Sequence, residues 1–128
     1  MGPHRMKLPQ FLSNSTVLLD TNFFIDSFPS KNRKAYNLFV DSLKKMKVAF
    51  VAPNFIKYEF IKSKTIDVVR EKEKYFNSIV DAVLPYDSKV DELVVSTIEE
   101  YKQFMEKLSL ADLVLATYLK RYLGLFLL

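Results

Sequence analysis

Three acidic residues, Asp20, Glu59 and Asp112, each stand between apolar neighbours in the sequence. Acidic side chains are rarely buried unless they are paired or bind a metal. Three carboxylates that converged without a basic partner would repel one another, and a divalent cation would remove that penalty. Such a cation makes a bound water acidic enough to attack phosphorus and neutralises the charge that develops on the phosphate. The pattern therefore indicates phosphodiester hydrolysis as one candidate chemistry.

The composition argues against several other kinds of catalytic site. The chain has no cysteine and one histidine, His4, so Cys/His zinc sites, Cys nucleophiles and His-based triads are excluded unless the leading segment folds into the core. Gly2 and Gly124 are the only glycines, so neither a Walker A loop nor a GxGxxG turn can be written. An enzyme of this composition depends on carboxylates, together with a hard metal ion that prefers oxygen ligands.

Each of the three acids also has an ordinary structural alternative. Asp20 can cap the start of a helix, because Asp is a favoured N-cap residue. Glu59 can pair with a nearby lysine, such as Lys57 or Lys62. Asp112 can interact favourably with the positive end of a helix dipole. The sequence leaves both interpretations of each residue open.

The elements that must position these acids alternate between strands and helices. Short apolar runs predict strands at 17–19, 48–52 and 125–128. Runs without polar alternation are typical of a parallel sheet that is covered on both faces. In such a sheet the ligand crevice lies beyond the carboxyl ends of the strands, and Asp20 directly follows the first strand.

The helical spacing of apolar residues predicts six helices. They cover 23–28, a segment from Ser30 to Met46, a segment that begins at Asn54, 65–83, a segment from Asp87 or Ser88 to Tyr101, and 111–120. Thr21 or Asn22 is predicted to cap the first helix, and Ser109 the last. The predicted buried stripe of the second helix contains Ala35, Leu38, Phe39, Ser42, Leu43 and Met46. Residues 82–86 are ambiguous, either the end of the fourth helix or a short edge strand.

At 128 residues the chain is predicted to form one domain, 1–128, that is long enough for a substantial core. Residues 1–5 are a candidate for an artificial leader ahead of Met6. No apolar run approaches the roughly 20 residues that span a bilayer, and the absence of cysteine suits the cytoplasm. The net charge of +4 modestly favours a polyanionic partner.

Three blocks of the sequence resemble the PIN domain family. They are Leu18-Leu19-Asp20-Thr21-Asn22 followed by Ile25-Asp26, then Tyr58-Glu59-Phe60, then the segment from Leu108 to Thr117. Their order and intervals are similar to those of the small VapC-type toxins of prokaryotic toxin–antitoxin pairs, and the resemblance covers nearly the whole chain. It implies a PIN-like three-layer α/β/α sandwich with a central, mainly parallel sheet of four to five strands.

The resemblance also implies an activity and a set of partners. The expected function is Mg²⁺- or Mn²⁺-dependent endonucleolytic cleavage of RNA by the toxin of a type II toxin–antitoxin pair. The expected partners are the RNA substrate, an antitoxin whose tail occupies the acidic crevice, and a second copy of the chain in a homodimer. Carried over residue by residue, the catalytic and metal-binding acids are Asp20, Glu59 and Asp112, with Thr21 and Asn22 as supporting polar groups.

The chain departs from the family pattern at its end. The family usually follows the last strand with Thr or Ser and then a fourth acid or Asn, whereas this sequence stops at Leu128. Either the chain is truncated there or the protein lacks the fourth ligand. The latter gives an alternative function, a catalytically degenerate PIN-like module that binds RNA or a protein partner. Asp26 also has two interpretations, a residue at a common family position or a surface acid.

Two other enzyme classes place an aspartate at the end of a strand, and the sequence disfavours both. A haloacid-dehalogenase-like phosphatase needs a second Asp two residues further on, and position 22 is Asn. A phosphoacceptor receiver domain needs an adjacent acid pair ahead of its phosphorylated aspartate.

Overall fold

The computed structural model describes residues 15–102, 109–121 and 125–127. Strands and helices alternate along this part of the chain, as the sequence predicts. The strands are β1 (Thr16–Leu18), β2 (Ala49–Pro53), β3 (Ala82–Leu84) and β4 (Leu125–Leu127). The helices are α1 (Thr21–Ser27), α2 (Ser30–Lys45), α3 (Asn54–Ile61), α4 (Ile66–Ile79), α5 (Ser88–Tyr101) and α6 (Leu110–Arg121). The predicted strand at 125–128 is therefore present, and Leu128 lies outside the described residues.

The described strands form one parallel sheet in the order β3-β2-β1-β4. Leu18 of β1 is in register with Val51 on one side and Leu127 on the other. Because all strands run the same way, their carboxyl ends meet along one side of the sheet, which we call the carboxyl edge. Parallel crossovers are right-handed in nearly all sheets. The connections from β1 to β2 and from β2 to β3 run in one direction across the sheet, so α1 to α4 lie on one face. The connection from β3 to β4 runs in the opposite direction, so α5 and α6 lie on the other face. This arrangement is consistent with the expected α/β/α layering.

The core is built on the two central strands and an aromatic cluster beside them. Val17, Leu18 and Leu19 are fully buried, which confirms the interpretation of this run as a strand covered on both faces. The cluster centres on Phe24 of α1, whose ring lies 5.2 Å from Phe60 and 4.9 Å from Phe76. It ties α1, α3 and α4 together beside the carboxyl end of β1. No helix in the described ranges is long and apolar enough to cross a membrane.

The rotation of α2 differs from the prediction. Leu38 and Phe39, which the sequence predicts to be buried, are 61% and 40% exposed. Leu43 is buried as predicted, and so is Val40, which lies outside the predicted stripe. Ala35 and Ser42 of the predicted stripe are exposed as well. Two apolar rows at helical spacing exist on this helix, and the short connection to β2 selects between them. It brings the buried Val48 against the side of α2 that carries Leu43, where the Val48 N–H donates to the Leu43 carbonyl (3.1 Å).

The end of α2 has the hydrogen bonds of a Schellman motif. The N–H of Val48 bonds to the Leu43 carbonyl, and the N–H of Lys47 bonds to the Lys44 carbonyl (2.9 Å). The motif requires a left-handed backbone at Lys47, whose φ is +62°. Glycine is preferred at this position because it has no Cβ to clash, so Lys47 holds a conformation that its side chain disfavours.

The boundary between α4 and β3 resolves the ambiguity at 82–86. The helix predicted over 65–83 ends at Ile79, and the following residues form an edge strand paired with β2. Asp81 explains the change, because its N–H donates to the Phe50 carbonyl (2.7 Å) and its Oδ2 accepts the Phe50 N–H (2.8 Å). These two hydrogen bonds place the chain alongside β2, so it continues as strand β3 and no longer as helix α4.

Candidate functional site

Asp20 lies at the carboxyl edge of the sheet, between β1 and α1. The Leu19 N–H still bonds to the Val51 carbonyl (2.9 Å), so the chain leaves the sheet at Asp20 itself. Its half-buried side chain is the N-cap of α1, because Oδ1 accepts the Thr21 N–H at 2.7 Å. The predicted caps Thr21 and Asn22 are wrong, since α1 begins at Thr21. Asp20 therefore has its ordinary structural role as a helix cap. The capping hydrogen bond uses Oδ1, which is one of its two carboxylate oxygens.

The two predicted supporting residues have different environments. Thr21 is buried, and its Oγ1 has no hydrogen-bond partner among the described residues. An unpaired buried hydroxyl is unusual in a folded protein, and this one belongs to the residue that follows Asp20 in the sequence. Asn22 is exposed, and so is Asp26 one turn further on. The exposure of Asp26 matches its interpretation as a surface acid.

Glu59 lies in α3 and is exposed. Its ordinary interpretation, an ion pair with a lysine, is not observed within the described ranges, because Lys57 instead pairs with Glu73 at 3.3 Å. Glu59 follows Phe55 by four residues, so the two side chains lie on the same side of the helix. Phe55 is at the start of α3, just beyond the carboxyl end of β2.

Asp112 is in the first turn of α6 and is exposed. Its backbone N–H donates to Ser109 Oγ (3.1 Å), and the Ser109 N–H donates to Asp112 Oδ2 (3.3 Å). This is the reciprocal pattern of a capping box, and it confirms Ser109 as the cap of the last helix. The ordinary role of Asp112 at a helix start is thus also real.

The part of the chain that the structure describes also contains an open, almost wholly apolar cavity of about 560 Å³. Its lining comes from the starts of α3 and α6, from one side of α5 and from the segment after β3. The lining residues are Phe55, Tyr86, Asp91, Val94, Val95, Ile98, Leu110, Ala111 and Val114. None of the three predicted acids is among the residues that line the cavity.

Asp91 is the acid in this cavity wall, and its sequence context predicts no functional role for it. Tyr86 Oη donates to Asp91 Oδ1 at 3.0 Å. Partial burial, followed by the hydrogen bond and the negative charge of Asp91, raises the pKa of Tyr86 above its ordinary value. In the sequence Asp91 looks like any acid in the first turn of a helix. The one feature of the sequence that bears on its role is its spacing of five residues from Tyr86. That spacing becomes informative only once the segment after β3 is known to fold against α5.

The three predicted acids do not assemble into one cluster in this structure. Within residues 15–102, 109–121 and 125–127, no group of three or more Asp, Glu or His side chains lies close enough to hold a metal ion. The donor chemistry nevertheless suits a hard cation, since carboxylates and the unpaired hydroxyl of Thr21 all offer oxygen. The ligand set Asp20, Glu59 and Asp112 therefore stays a prediction.

Comparison with solved structures shows a related fold. A chain in the crystal structure of VapBC2 from Rickettsia felis, bound to a DNA fragment from their promoter, superposes with a TM-score of 0.63. The superposition covers 88% of this chain and 97% of that chain, with 18% of residues identical. No protein-family model and no curated protein sequence matches the chain. The likeness establishes that the two chains share a fold.

Proposed function

We propose that this chain is the toxin of a type II toxin–antitoxin pair and acts as a Mg²⁺- or Mn²⁺-dependent endoribonuclease. The observation that carries the proposal is the position of Asp20, a carboxylate at the carboxyl end of β1, where the strand order reverses. Ligands of open α/β sheets bind at this point. The shared fold with a chain of a VapBC2 complex supports the proposal, as does the net charge of +4.

The proposed roles divide among five residues. Asp20, Glu59 and Asp112 hold the cation, and Thr21 and Asn22 support it. When bound, a Mg²⁺ or Mn²⁺ ion supplies an acidic water and neutralises charge on the phosphate. The chain contributes the placement of the acidic side chains. The β1–α1 junction holds Asp20, the capping box orients Asp112, and Glu59 is left without a lysine partner among the described residues.

The proposed partners follow from the same function. RNA is the substrate, an antitoxin protein restrains the activity, and two copies of the chain form a homodimer in the cytoplasm. The VapBC2 complex is a protein pair bound to DNA, which supports a protein partner for this chain as well.

Cleavage of a labelled single-stranded RNA in the presence of Mn²⁺ tests the proposal. We expect the wild type to cleave and Asp20→Asn to lose at least about tenfold in rate, because even groups that only support metal ligands contribute 10- to 100-fold. Asp67→Asn is the matched control, since Asp67 is an exposed acid in the first turn of α4. Equal cleavage by the wild type and Asp20→Asn would refute the proposed site.

A second candidate function is a catalytically degenerate module that binds RNA or a protein partner. The observation that favours it is the lack of a three-acid cluster among the described residues. Calorimetric titration with Mn²⁺ separates the two functions. A nuclease binds Mn²⁺ in a way that Asp20→Asn abolishes, whereas a degenerate module shows no carboxylate-dependent binding.

A further inference from the structure

We propose that the exposed side of α3 is a contact surface for single-stranded RNA, in which the ring of Tyr58 stacks on a base and Lys62 and Lys72 hold phosphates. This role rests on the proposed function, because the RNA strand would lie beside Glu59, whose negative charge the proposed cation would balance. The three residues carry no part of the proposed metal chemistry and act by positioning the strand.

Tyr58 is the most exposed aromatic residue among the side chains that the structure describes. It is 62% exposed, against 47% for Tyr86 and 40% for Phe39. The rings around Phe24 pack on one another, but no ring of the described residues stacks on Tyr58. A single exposed apolar residue is ordinary, so the ring alone indicates no site. It becomes a candidate stacking platform for an unpaired base when cations lie beside it, because every base has a π-face.

The packing of α3 fixes where this ring lies. The helix follows β2 directly, since the strand ends at Pro53 and the helix begins at the next residue. Tyr58 is therefore little more than one turn beyond the carboxyl edge of the sheet. Ile56 and Phe60, on the opposite side of the helix, are buried, and the Phe60 ring lies 5.2 Å from that of Phe24 in α1. The core thus turns Tyr58 toward solvent and ties its helix to the one that Asp20 caps.

Two lysines lie at the end of α3. Lys62 follows Tyr58 by four residues, so the two side chains share one side of the helix. The Lys62 N–H also donates to the Tyr58 carbonyl (3.2 Å). Lys72 reaches the same place from α4, because its Nζ donates to the Lys62 carbonyl at 3.4 Å and lies 5.5 Å from the Phe60 ring. An aromatic ring and lysines from two helices therefore lie along one stretch of surface.

The charge of these lysines selects the occupant. Neither Lys62 nor Lys72 forms an ion pair with an acid of the described ranges, whereas Lys57, which precedes the ring, pairs with Glu73 at 3.3 Å. Uncompensated lysines attract a polyanion, and phosphate contacts supply much of the affinity for nucleic acids. An acidic peptide would use the lysines and leave the ring of Tyr58 without a function. Single-stranded RNA uses both, because its bases are free to stack on aromatic side chains.

Fluorescence anisotropy with a labelled, unstructured RNA oligonucleotide tests the stacking role on the full chain. The buffer contains EDTA, so binding is measured without cleavage and the result is independent of the nuclease proposal. We expect Tyr58→Ser to weaken binding at least about fivefold, the lower end of the effect of removing one stacking side chain. Tyr58→Phe should bind as the wild type does, because the ring is kept. Phe39→Ser is the matched control and should leave binding unchanged, since Phe39 is an exposed ring on α2.

The salt dependence of binding tests the two lysines. For a single strand, the logarithm of the binding constant falls by about 0.7 per phosphate contact for each unit in the logarithm of the salt concentration. Lys62→Gln and Lys72→Gln should each make this slope shallower by about 0.7, whereas Tyr58→Ser should keep it. Lys45→Gln is the matched control, because Lys45 is an exposed lysine in the last turn of α2, which leads to the amino end of β2. Lys62→Gln carries the test if circular dichroism shows that Lys72→Gln is unfolded.

Five results would overturn the proposal. Three concern the variants: unchanged affinity in Tyr58→Ser, an equal loss in Tyr58→Phe and Tyr58→Ser, and an unchanged salt slope in the lysine variants. The fourth is an RNA duplex of the same length that binds as tightly as the single strand, because paired bases cannot stack on the ring. The fifth is a glutamate-rich peptide that binds as tightly as the RNA, which would assign the lysines to an acidic protein partner.

Discussion

Replacing Asp20 separates its structural role from its proposed role as a metal ligand. The carboxylate caps α1 through the 2.7 Å bond from the Thr21 N–H, and a side-chain amide oxygen can accept the same bond. Asn is as good an N-cap as Asp, so Asp20→Asn keeps the cap and loses the negative charge. Asp20→Ala loses both. A helix cap and a metal ligand therefore respond differently to the two substitutions.

The magnitudes follow from the geometry of the cap. In Asp20→Asn the free energy of unfolding should fall by about 0.5 kcal/mol, which is the value of one negative charge near a helix N-terminus. In Asp20→Ala it should fall by about 1.5–2 kcal/mol, because the capping bond, worth about 1 kcal/mol, is lost as well. Affinity for Mn²⁺ should fall at least about tenfold in both variants, because both remove the charged oxygens that the cation needs.

Urea denaturation followed by circular dichroism measures the stability difference, and calorimetric titration measures Mn²⁺ binding. If Asp20→Asn binds Mn²⁺ as the wild type does, Asp20 is only a helix cap and the metal-ligand role is refuted. If Asp20→Ala is as stable as Asp20→Asn, the capping bond contributes nothing and the assigned magnitude is wrong. The Mn²⁺ titration can therefore refute the metal-ligand role without affecting the capping magnitude, and urea denaturation can refute the capping magnitude without affecting the metal-ligand role.

Three further predictions concern other parts of the chain. Lys47→Gly should raise the free energy of unfolding by about 1 kcal/mol in urea denaturation, because it relieves a left-handed backbone with φ of +62°. Leu38→Ser should change that free energy by less than about 0.5 kcal/mol, whereas Leu43→Ala should lower it by about 2–5 kcal/mol, since only Leu43 is buried. Spectrophotometric titration should find the Tyr86 phenol ionising above its ordinary pKa of 10.0, and Asp91→Asn should lower that pKa. Because the folded-state pKa is raised, the stabilisation from the neutral phenol is complete below pH 10.0 and is lost as the pH rises through the folded-state value.

The sequence by itself determined the order of elements and the kind of chemistry available. Continuous apolar runs specify strands covered on both faces, and the observed sheet is parallel with Val17, Leu18 and Leu19 buried. Ser109 was recognisable as a cap because capping depends on residues only three positions apart. The absence of Cys and the near absence of His left carboxylates as the available catalytic groups. These features depend on composition or on neighbours in the chain, which the sequence displays directly.

Only the tertiary structure decided the features that depend on distant segments. The rotation of α2 could not be predicted, because two apolar rows satisfy the helical period and the buried connection to β2 selects the side with Val40 and Leu43, which leaves Leu38 exposed. Strand β3 forms because Asp81 meets Phe50, a residue 31 positions away. The cavity wall with Asp91 exists only where α3, α5, α6 and the segment after β3 come together. Residue spacing along the chain determines which segments can form helices and strands. Tertiary packing determines which side of each helix is buried and which group each carboxylate contacts.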